Sequence, residues 1–449
     1  MNADPVSRLA AAGMSAAEAG NKGAQLERCA AVLRRLGVRT DVPWRGYYVP
    51  GRVEFLGKHT DYAGGRSLLC ALERGFVMVA VPREDGRVHL VDTARDTPAA
   101  FQIDPDLMPA PGHWSNYPMT VARRLARNFP GARTGADVAF VSDLPQAAGM
   151  SSSSALVTAV FAVLADVNHL ATRPEYAANL RSLEDLAGYL SCIENGQSFG
   201  TLAGDHGVGT FGGSEDHTAI LCARPGELVQ YSFCPVRLER RLPMPASHSL
   251  VIAVSGVTAR KTGEVQDRFN RASRTAAAIL RIWHGASGRQ DATIAAAVES
   301  APGVDDRIRD ALRRANDPEF PTGMLIDRFD QFVDESTRII PGVSDALAFG
   351  SLATIGPLVD RSQAGAERLL RNQVPETIAL AQGARELGAA AASAFGAGFG
   401  GSVWALVGAE QAEEFGARWA KIYRRKFPSA AERALFFPTH AGPPLTRIE

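Results

Sequence analysis

Apolar and polar positions change rhythm several times along the chain, and the changes outline its elements. Residues 1–44 carry alanine-rich segments of helical spacing, with Gly37 and Pro43 closing the second. From Gly46 to Val81 the pattern shifts. Tyr47-Tyr-Val and Val77-Met-Val-Ala-Val read as strands, and Arg87-Val-His-Leu-Val-Asp as a hairpin partner. A loop over Pro105–Pro111 leads to an amphipathic helix from Trp114 to Phe129. Ala136–Ser142 is strand-like, Ala155–Leu170 is apolar nearly all round and so a buried helix, and Leu183–Asn195 is a second helix. After a strand over Leu228–Phe233 the rhythm loosens, which puts a domain boundary near Pro235, between residues 1–235 and 236–449. The second half reads as helix over Arg268–Ala301 and a polar, proline-bearing connection over Asp305–Pro321. Helices then run from Leu325 to Leu387, broken at Pro341, Pro357 and Pro375, before a strand over Val403–Val407.

The stretch with the clearest chemistry is Asp143-Leu-Pro-Gln-Ala-Ala-Gly-Met-Ser-Ser-Ser-Ser-Ala155, between the 136–142 strand and the buried helix. A small-residue loop ending at a helix N-terminus offers unpaired N–H groups and the positive end of the helix dipole, which together favour an anion such as phosphate. Serine hydroxyls add neutral donors and an oxygen for a hard cation such as Mg²⁺. Simple helix capping needs only one serine, so four in succession point to a ligand. The loop is neither a Walker loop nor a dinucleotide glycine fingerprint. A second small-residue stretch, Ala394-Phe-Gly-Ala-Gly-Phe-Gly-Gly-Ser402, implies a backbone surface that another group approaches closely.

Composition adds mostly exclusions. A chain of 449 residues has room for two domains and a large core. Lysine plus arginine equal aspartate plus glutamate at 48 each, which argues against nucleic acid or an anionic membrane as partner. Five scattered cysteines without a Cys-x-x-Cys pair, no signal-peptide layout and no long apolar run lead to the expectation of a cytoplasmic protein, monomeric or a homodimer.

Three ordered stretches carry a family resemblance: Pro50-Gly-Arg-Val-Glu-Phe-Leu-Gly-Lys-His-Thr-Asp-Tyr62, Gly149-Met-Ser-Ser-Ser, and Gly396-Ala-Gly-Phe-Gly-Gly401. With Trp114-x-Asn-Tyr117, Glu194, Ser198-Phe199, Val374-Pro-Glu376 and Thr439-His-Ala-Gly442, the sequence resembles the GHMP small-molecule kinases, and looks most like their galactokinase branch, over residues 45–442. The resemblance implies an α+β, two-domain fold. Its N-terminal domain has a left-handed βαβ unit, its C-terminal domain is ferredoxin-like, and the active site lies in the cleft between them. It implies ATP with Mg²⁺ and transfer of phosphate to the anomeric hydroxyl of a sugar.

Residue roles follow from the same resemblance. Gly149, Met150, Ser151, Ser152, Ser153 and Ser154 would cradle the ATP phosphates, and Ser153 with Glu194 would hold Mg²⁺. Asp216 would orient the sugar hydroxyl or accept its proton, and Arg52 would stabilise both Asp216 and the transferred phosphoryl group. Asp216 could also cap a helix after Gly-Gly-Ser, and Arg52 could serve in a structural ion pair. His59, Asp61 and Gly213 would contact the sugar. Asp205, His206, Asp216 and His217 fit no standard metal-ligand spacing.

Four departures from the galactokinase pattern stand out. Lys58 replaces a glutamate that binds the far hydroxyl of the sugar, Glu54 and Ala63 replace asparagines, and a glycine-rich insertion lengthens the interval from Glu194 to Asp216 by about ten residues. An ammonium in place of a carboxylate favours an anion. That leads to the expectation of a sugar with an acidic distal group, a sugar phosphate or a uronic acid, with Arg66 and Arg74 assisting. The alternatives are that Lys58 pairs with Glu54 around a neutral pocket in an ordinary galactokinase, that the chain is a non-catalytic sugar- and ATP-binding regulator, or that it acts on a non-sugar alcohol such as mevalonate.

Overall fold

The strand-like segments of the first half become most of an eight-stranded sheet in the structure, a computed structural model that describes residues 4–39, 41–95, 97–258 and 264–448. Its strands are β1 (Arg45–Leu56), β2 (Arg66–Pro82), β3 (Arg87–Asp92), β4 (Thr97–Gln102), β5 (Ala136–Ser142), β6 (Glu227–Ser232) and β7 (Arg237–Pro243), with β12 (Thr446–Arg447) returning from the far end of the chain. The order is β12-β1-β2-β5-β3-β4, and β6 branches from β2 and carries β7. β3 and β5 run parallel; the other pairs are antiparallel. β1 and β2 are buried on both faces, so they show continuous apolar character rather than alternation. β7 still belongs to this sheet, although the loss of rhythm sets in before it.

Helices cover both faces. On one, α1 (Ala16–Arg35) packs Leu26, Cys29 and Leu33 against Val77, Val79 and Val141. On the other lie α2 (Asn116–Asn128), α3 (Ser152–Val167), α4 (Leu183–Asn195) and α5 (Glu215–Cys222). The apolar character of α3 on every side matches its burial among the sheet and its neighbouring helices.

The second sheet is antiparallel, with strands β8 (His248–Val254), β9 (Ala391–Phe395), β10 (Ser402–Gly408) and β11 (Leu435–Thr439) in the order β11-β8-β10-β9. Helices separate β8 from β9 and β10 from β11, which makes the β-α-β-β-α-β ferredoxin-like arrangement. Between β8 and β9 run α6 (Glu264–Ser287), α7 (Thr322–Asp334) and α8 (Leu352–Gly365), among others.

Four helical expectations need correction: the helix expected over Arg268–Ala301 is interrupted between Ser287 and Ile294, Pro341 lies in a helical run that continues unbroken from Thr322 to Ala348, and the other two concern residues 304–314 and Pro357. Val304–Arg314 is a helix, not a connection: Val304, Ile308, Ala311 and Leu312 form a buried stripe at helical spacing beneath a dense run of Asp and Arg. Pro357 lies inside α8 without ending it, because Ile355 and Val359 on either side are fully buried and hold the helix together.

The two sheets meet where β1 ends. Phe55 stacks on Trp404 with ring centroids 3.9 Å apart, and the Trp404 indole donates to the Phe55 carbonyl at 3.1 Å. Such an aromatic pair adds roughly 0.5–1.5 kcal/mol beyond its area burial. It fastens the segment carrying Arg52 and Glu54 to the second half of the chain.

Candidate active site

Arg52 and Glu54 sit where the β1–β2 register slips, between Pro50 and Arg52 and again between Glu54 and Leu56. Such irregularities bend a strand and re-aim its side chains. Gly51 allows a close approach: a Cβ there would lie 2.6 Å from Leu144 and 2.9 Å from the Met150 carbonyl, to which the Arg52 N–H donates at 3.3 Å. The serine loop is thereby held against β1.

The loop itself is not a set of helix caps. Ser151 takes the N-cap position of α3 in the left-handed conformation (φ 58°), makes no capping bond, and its buried hydroxyl has no partner among the described residues. Gly149 (φ 76°) and Gly396 (φ 81°) pass each other backbone to backbone. A Cβ on Gly396 would stand 2.7 Å from the Gly149 carbonyl, and the Ser402 hydroxyl donates to the Ala148 carbonyl at 2.6 Å. The close approach implied by the second glycine cluster is therefore an approach to the serine loop.

At the end of this loop the charged residues gather. Arg52 is 4% exposed and donates to Asp216 from Nε at 2.9 Å and to the Gly149 carbonyl from Nη1 at 2.6 Å. Burial works against its charge, but Asp216, Glu215 and Glu54 outweigh it and hold the guanidinium above its ordinary pKa. Asp216 lies in the first turn of α5 and is not its cap; Ser214 holds that position. The Ser154 hydroxyl donates to Glu194 at 2.6 Å and lies 3.3 Å from the second oxygen of Asp216. His217 contacts the same Glu194 oxygen at 2.8 Å.

The hydroxyl that meets Glu194 belongs to Ser154, which the first turn of α3 directs inward, while Ser153, the serine expected at the cation, lies partly exposed on the wall of the large cavity. A buried hydroxyl and a carboxylate beside a phosphate-sized loop suit a hard cation that takes its remaining ligands from phosphate and water. The protein alone supplies less than a full set: among the described residues no group of three His, Cys, Asp or Glu side chains could hold a metal. Asp205 is instead buried against Arg123, at 2.8 Å, and Arg124.

Two cavities converge on the Arg52–Asp216 pair. The larger, of about 870 Å³, runs from Trp114, Tyr117 and Phe140 past Ser151, Ser152 and Ser153. The glycine-rich insertion, through residues 206–210, forms part of its wall. The smaller is lined by His59, Asp61, Gly213, Glu54, Glu194 and Glu215 among others, and Arg52, Asp216, Thr210 and Ala397 line both. His59 uses both ring nitrogens, toward Tyr62 Oη at 3.1 Å and the Ala397 carbonyl at 3.2 Å. Asp61 accepts from the N–H groups of Tyr62 at 2.9 Å and Glu215 at 3.1 Å, and Gly213 packs so closely on it that a side chain would collide.

Lys58 is not among the residues that line this cavity. It is 1% exposed and donates to Ser362 at 2.9 Å and Ser393 at 2.8 Å. Ser362 in turn donates to Glu335 at 2.9 Å. Contacts from α7 hold this loop: Gln331 donates to the Lys58 carbonyl and Arg328 to the His59 carbonyl. Arg66 is spent on Glu239 and Glu299, and Arg74 stacks on Phe437. The reading of Lys58 as an anion receptor fails because β1 ends by turning it into the packing between the halves. Arg328, Gln331 and Glu335 had no sequence signal, since each acts across more than 260 residues.

Comparison with known proteins agrees with this geometry. Residues 39–82 match the galactokinase galactose-binding signature, 116–196 the GHMP kinases N terminal domain, and 343–425 the GHMP kinases C terminal domain. The chain belongs to the GHMP kinases. Within them it is a galactokinase-like sugar kinase. It is 29% identical to a galactokinase of Chloroflexus aggregans over 384 residues, 83% of this chain and 86% of that protein. Against a galactokinase of Actinobacillus pleuropneumoniae it is 26% identical over 377 residues, covering 82% and 86%. Lactococcus lactis galactokinase complexed with galactose superposes with a TM-score of 0.76 at 22% identity, covering 93% of this chain and 98% of that one. Methanococcus jannaschii mevalonate kinase shares the fold at a TM-score of 0.53 and 11% identity, covering 90% and 99%. No helix among the described residues is long and apolar enough to cross a membrane.

Proposed function

We propose that this chain transfers the γ-phosphoryl group of ATP to the anomeric hydroxyl of a neutral, galactose-like hexose. The observation that carries the reading is the position of Arg52 and Asp216 on the shared wall of the two cavities. The larger cavity offers aromatic surface at one end and, at the other, a serine hydroxyl at a helix N-terminus with no partner among the described residues, which suits a nucleotide with its phosphates at the loop. Phosphoryl transfer asks for positioning and charge neutralisation rather than covalent help. Asp216 would accept a hydrogen bond from the sugar hydroxyl and take its proton as the oxygen attacks phosphorus. Arg52 would hold Asp216 in place and face the charge on the transferred group. Mg²⁺ held by Ser154 and Glu194 would neutralise phosphate oxygens.

A neutral sugar is favoured over an acidic one by the wall of the smaller cavity. Glu54, Asp61, Glu194, Glu215 and Asp216 face it, and Arg52 is its permanent cation among the described residues. Carboxylates accept hydroxyls well and repel anions. The test is ADP release with MgATP across free hexoses, hexose phosphates and uronic acids, with the product read by phosphorus and proton NMR. A hexose 1-phosphate from a neutral hexose supports the reading; turnover confined to acidic sugars, or phosphate on another carbon, defeats it.

A further inference from the structure

Glu54 and Glu215 are two buried carboxyls, 3% and 5% exposed, that face the small cavity and that the phosphoryl-transfer chemistry does not use. Their side chains meet each other. The Ser67 hydroxyl donates to Glu215 Oε2 at 2.8 Å, and the Gly396 N–H reaches Glu54 Oε2 at 3.3 Å. Arg52 lies 3.7 Å from Glu215 and 3.9 Å from Glu54. Glu54 Oε1 is buried and receives no hydrogen bond from any described group. Apart from the proton it can share with Glu215, this acceptor has no donor, and such a group in a cavity wall calls for one from a ligand.

We propose that Glu54, paired with Glu215, is a sugar-reading residue: in the free protein the two carboxyls share one proton, and a hydroxyl of the bound hexose donates to Glu54 Oε1. The inference rests on the small cavity being the sugar site. Two carboxyls in contact cannot both be ionised cheaply, and the rest of the surroundings set the balance. Arg52 on the same strand and Lys58 beyond its end favour the anion. Glu335 from the segment after α7, with Asp61 and Asp216 beside Glu215, oppose it. Both carboxyls are accordingly pushed upward, burial being the largest cause for each. A donated hydroxyl stabilises the anionic form, so sugar binding should expel part of the shared proton near neutral pH.

The test is calorimetry of a panel of neutral hexoses binding to the full chain, in buffers of differing ionisation enthalpy, for the wild type, Glu54→Gln and Glu54→Leu, with ATP binding as the control for folding. For the wild type the expected result is proton release on binding the preferred hexose and an affinity that rises from pH 6 to pH 8. Glu54→Gln should abolish the proton release, and Glu54→Leu should weaken hexose binding 10- to 100-fold, both with ATP affinity unchanged. Wild-type hexose affinity and proton release in both variants would overturn the role of Glu54 while leaving the sugar site intact. Failure of the wild-type protein to bind any neutral hexose would overturn the sugar site as well.

Discussion

Arg52 and Asp216 are joined through two nitrogens of one guanidinium, Nε at 2.9 Å and Nη2 at 2.8 Å, both to Oδ1, which leaves Oδ2 toward Ser154. The third nitrogen is fixed on the Gly149 carbonyl. One planar group therefore sets the distance between the carboxylate and the serine loop.

Lysine cannot reproduce that fork, because its ammonium is a single point charge on a flexible stem. Arg52→Lys is expected to lower kcat by roughly 10²–10³-fold, the size seen when one preorganised donor is removed, with a smaller change in KM for the sugar. Steady-state kinetics of the purified variant checks this.

The one-residue difference between Ser153 and Ser154 is open to a direct comparison. Ser154→Ala removes the hydroxyl that bridges Glu194 and Asp216 and should raise the Mg²⁺ concentration for half-maximal activity by roughly tenfold, about the worth of one charge-assisted hydrogen bond. Ser153→Ala should shift it by less than a third of that. Activity measured against Mg²⁺ concentration at fixed ATP separates the two.

The buried acid at position 54 has a consequence for stability. Burial lifts Glu54 above the ordinary glutamate range, opposed by Arg52 and Lys58. A carboxyl with a raised folded-state pKa binds its proton more tightly folded than unfolded, so its contribution is complete at acid pH and is lost as pH climbs from the ordinary glutamate range toward the raised value. Glu54→Gln should remove that loss, melting above the wild type at pH 8 by several degrees and near it at pH 5, as read by thermal denaturation.

Lys58 is expected to matter for packing and not for sugar choice. Lys58→Met leaves Ser362 and Ser393 without their donor and takes a cation from beside Glu54, which should destabilise the protein by about 1–3 kcal/mol. The ratio of turnover on neutral and acidic sugars should stay as it was. Denaturant titration and a paired substrate assay measure both.

Much of this architecture was legible in the sequence. The strand over Ala136–Ser142 and the helix over Leu183–Asn195 appear as read, since their patterns are local and uninterrupted. Motif order points to the serine loop, Arg52 and Asp216, which the structure brings together, and the need for close backbone approach points to the glycine cluster. The Val304–Arg314 helix is hard to read because its buried stripe of four residues lies under charges and follows a proline. The orientation of Lys58 was not readable at all: it depends on Ser362 and Ser393, more than 300 residues away, and on α7 closing over the loop. Spacing alone also could not decide between adjacent serines, because a helical residue turns about 100° from the one before it.

The transfer step itself gives the most direct measurement. In a single-turnover experiment with MgATP and the preferred neutral hexose, the wild-type protein should form hexose 1-phosphate and ADP in equal amounts. Asp216→Ala should bind both substrates with affinities within a few-fold of the wild type and form product at least about 10²-fold more slowly, the range of a lost general base. Product formation at the wild-type rate by Asp216→Ala would contradict the account.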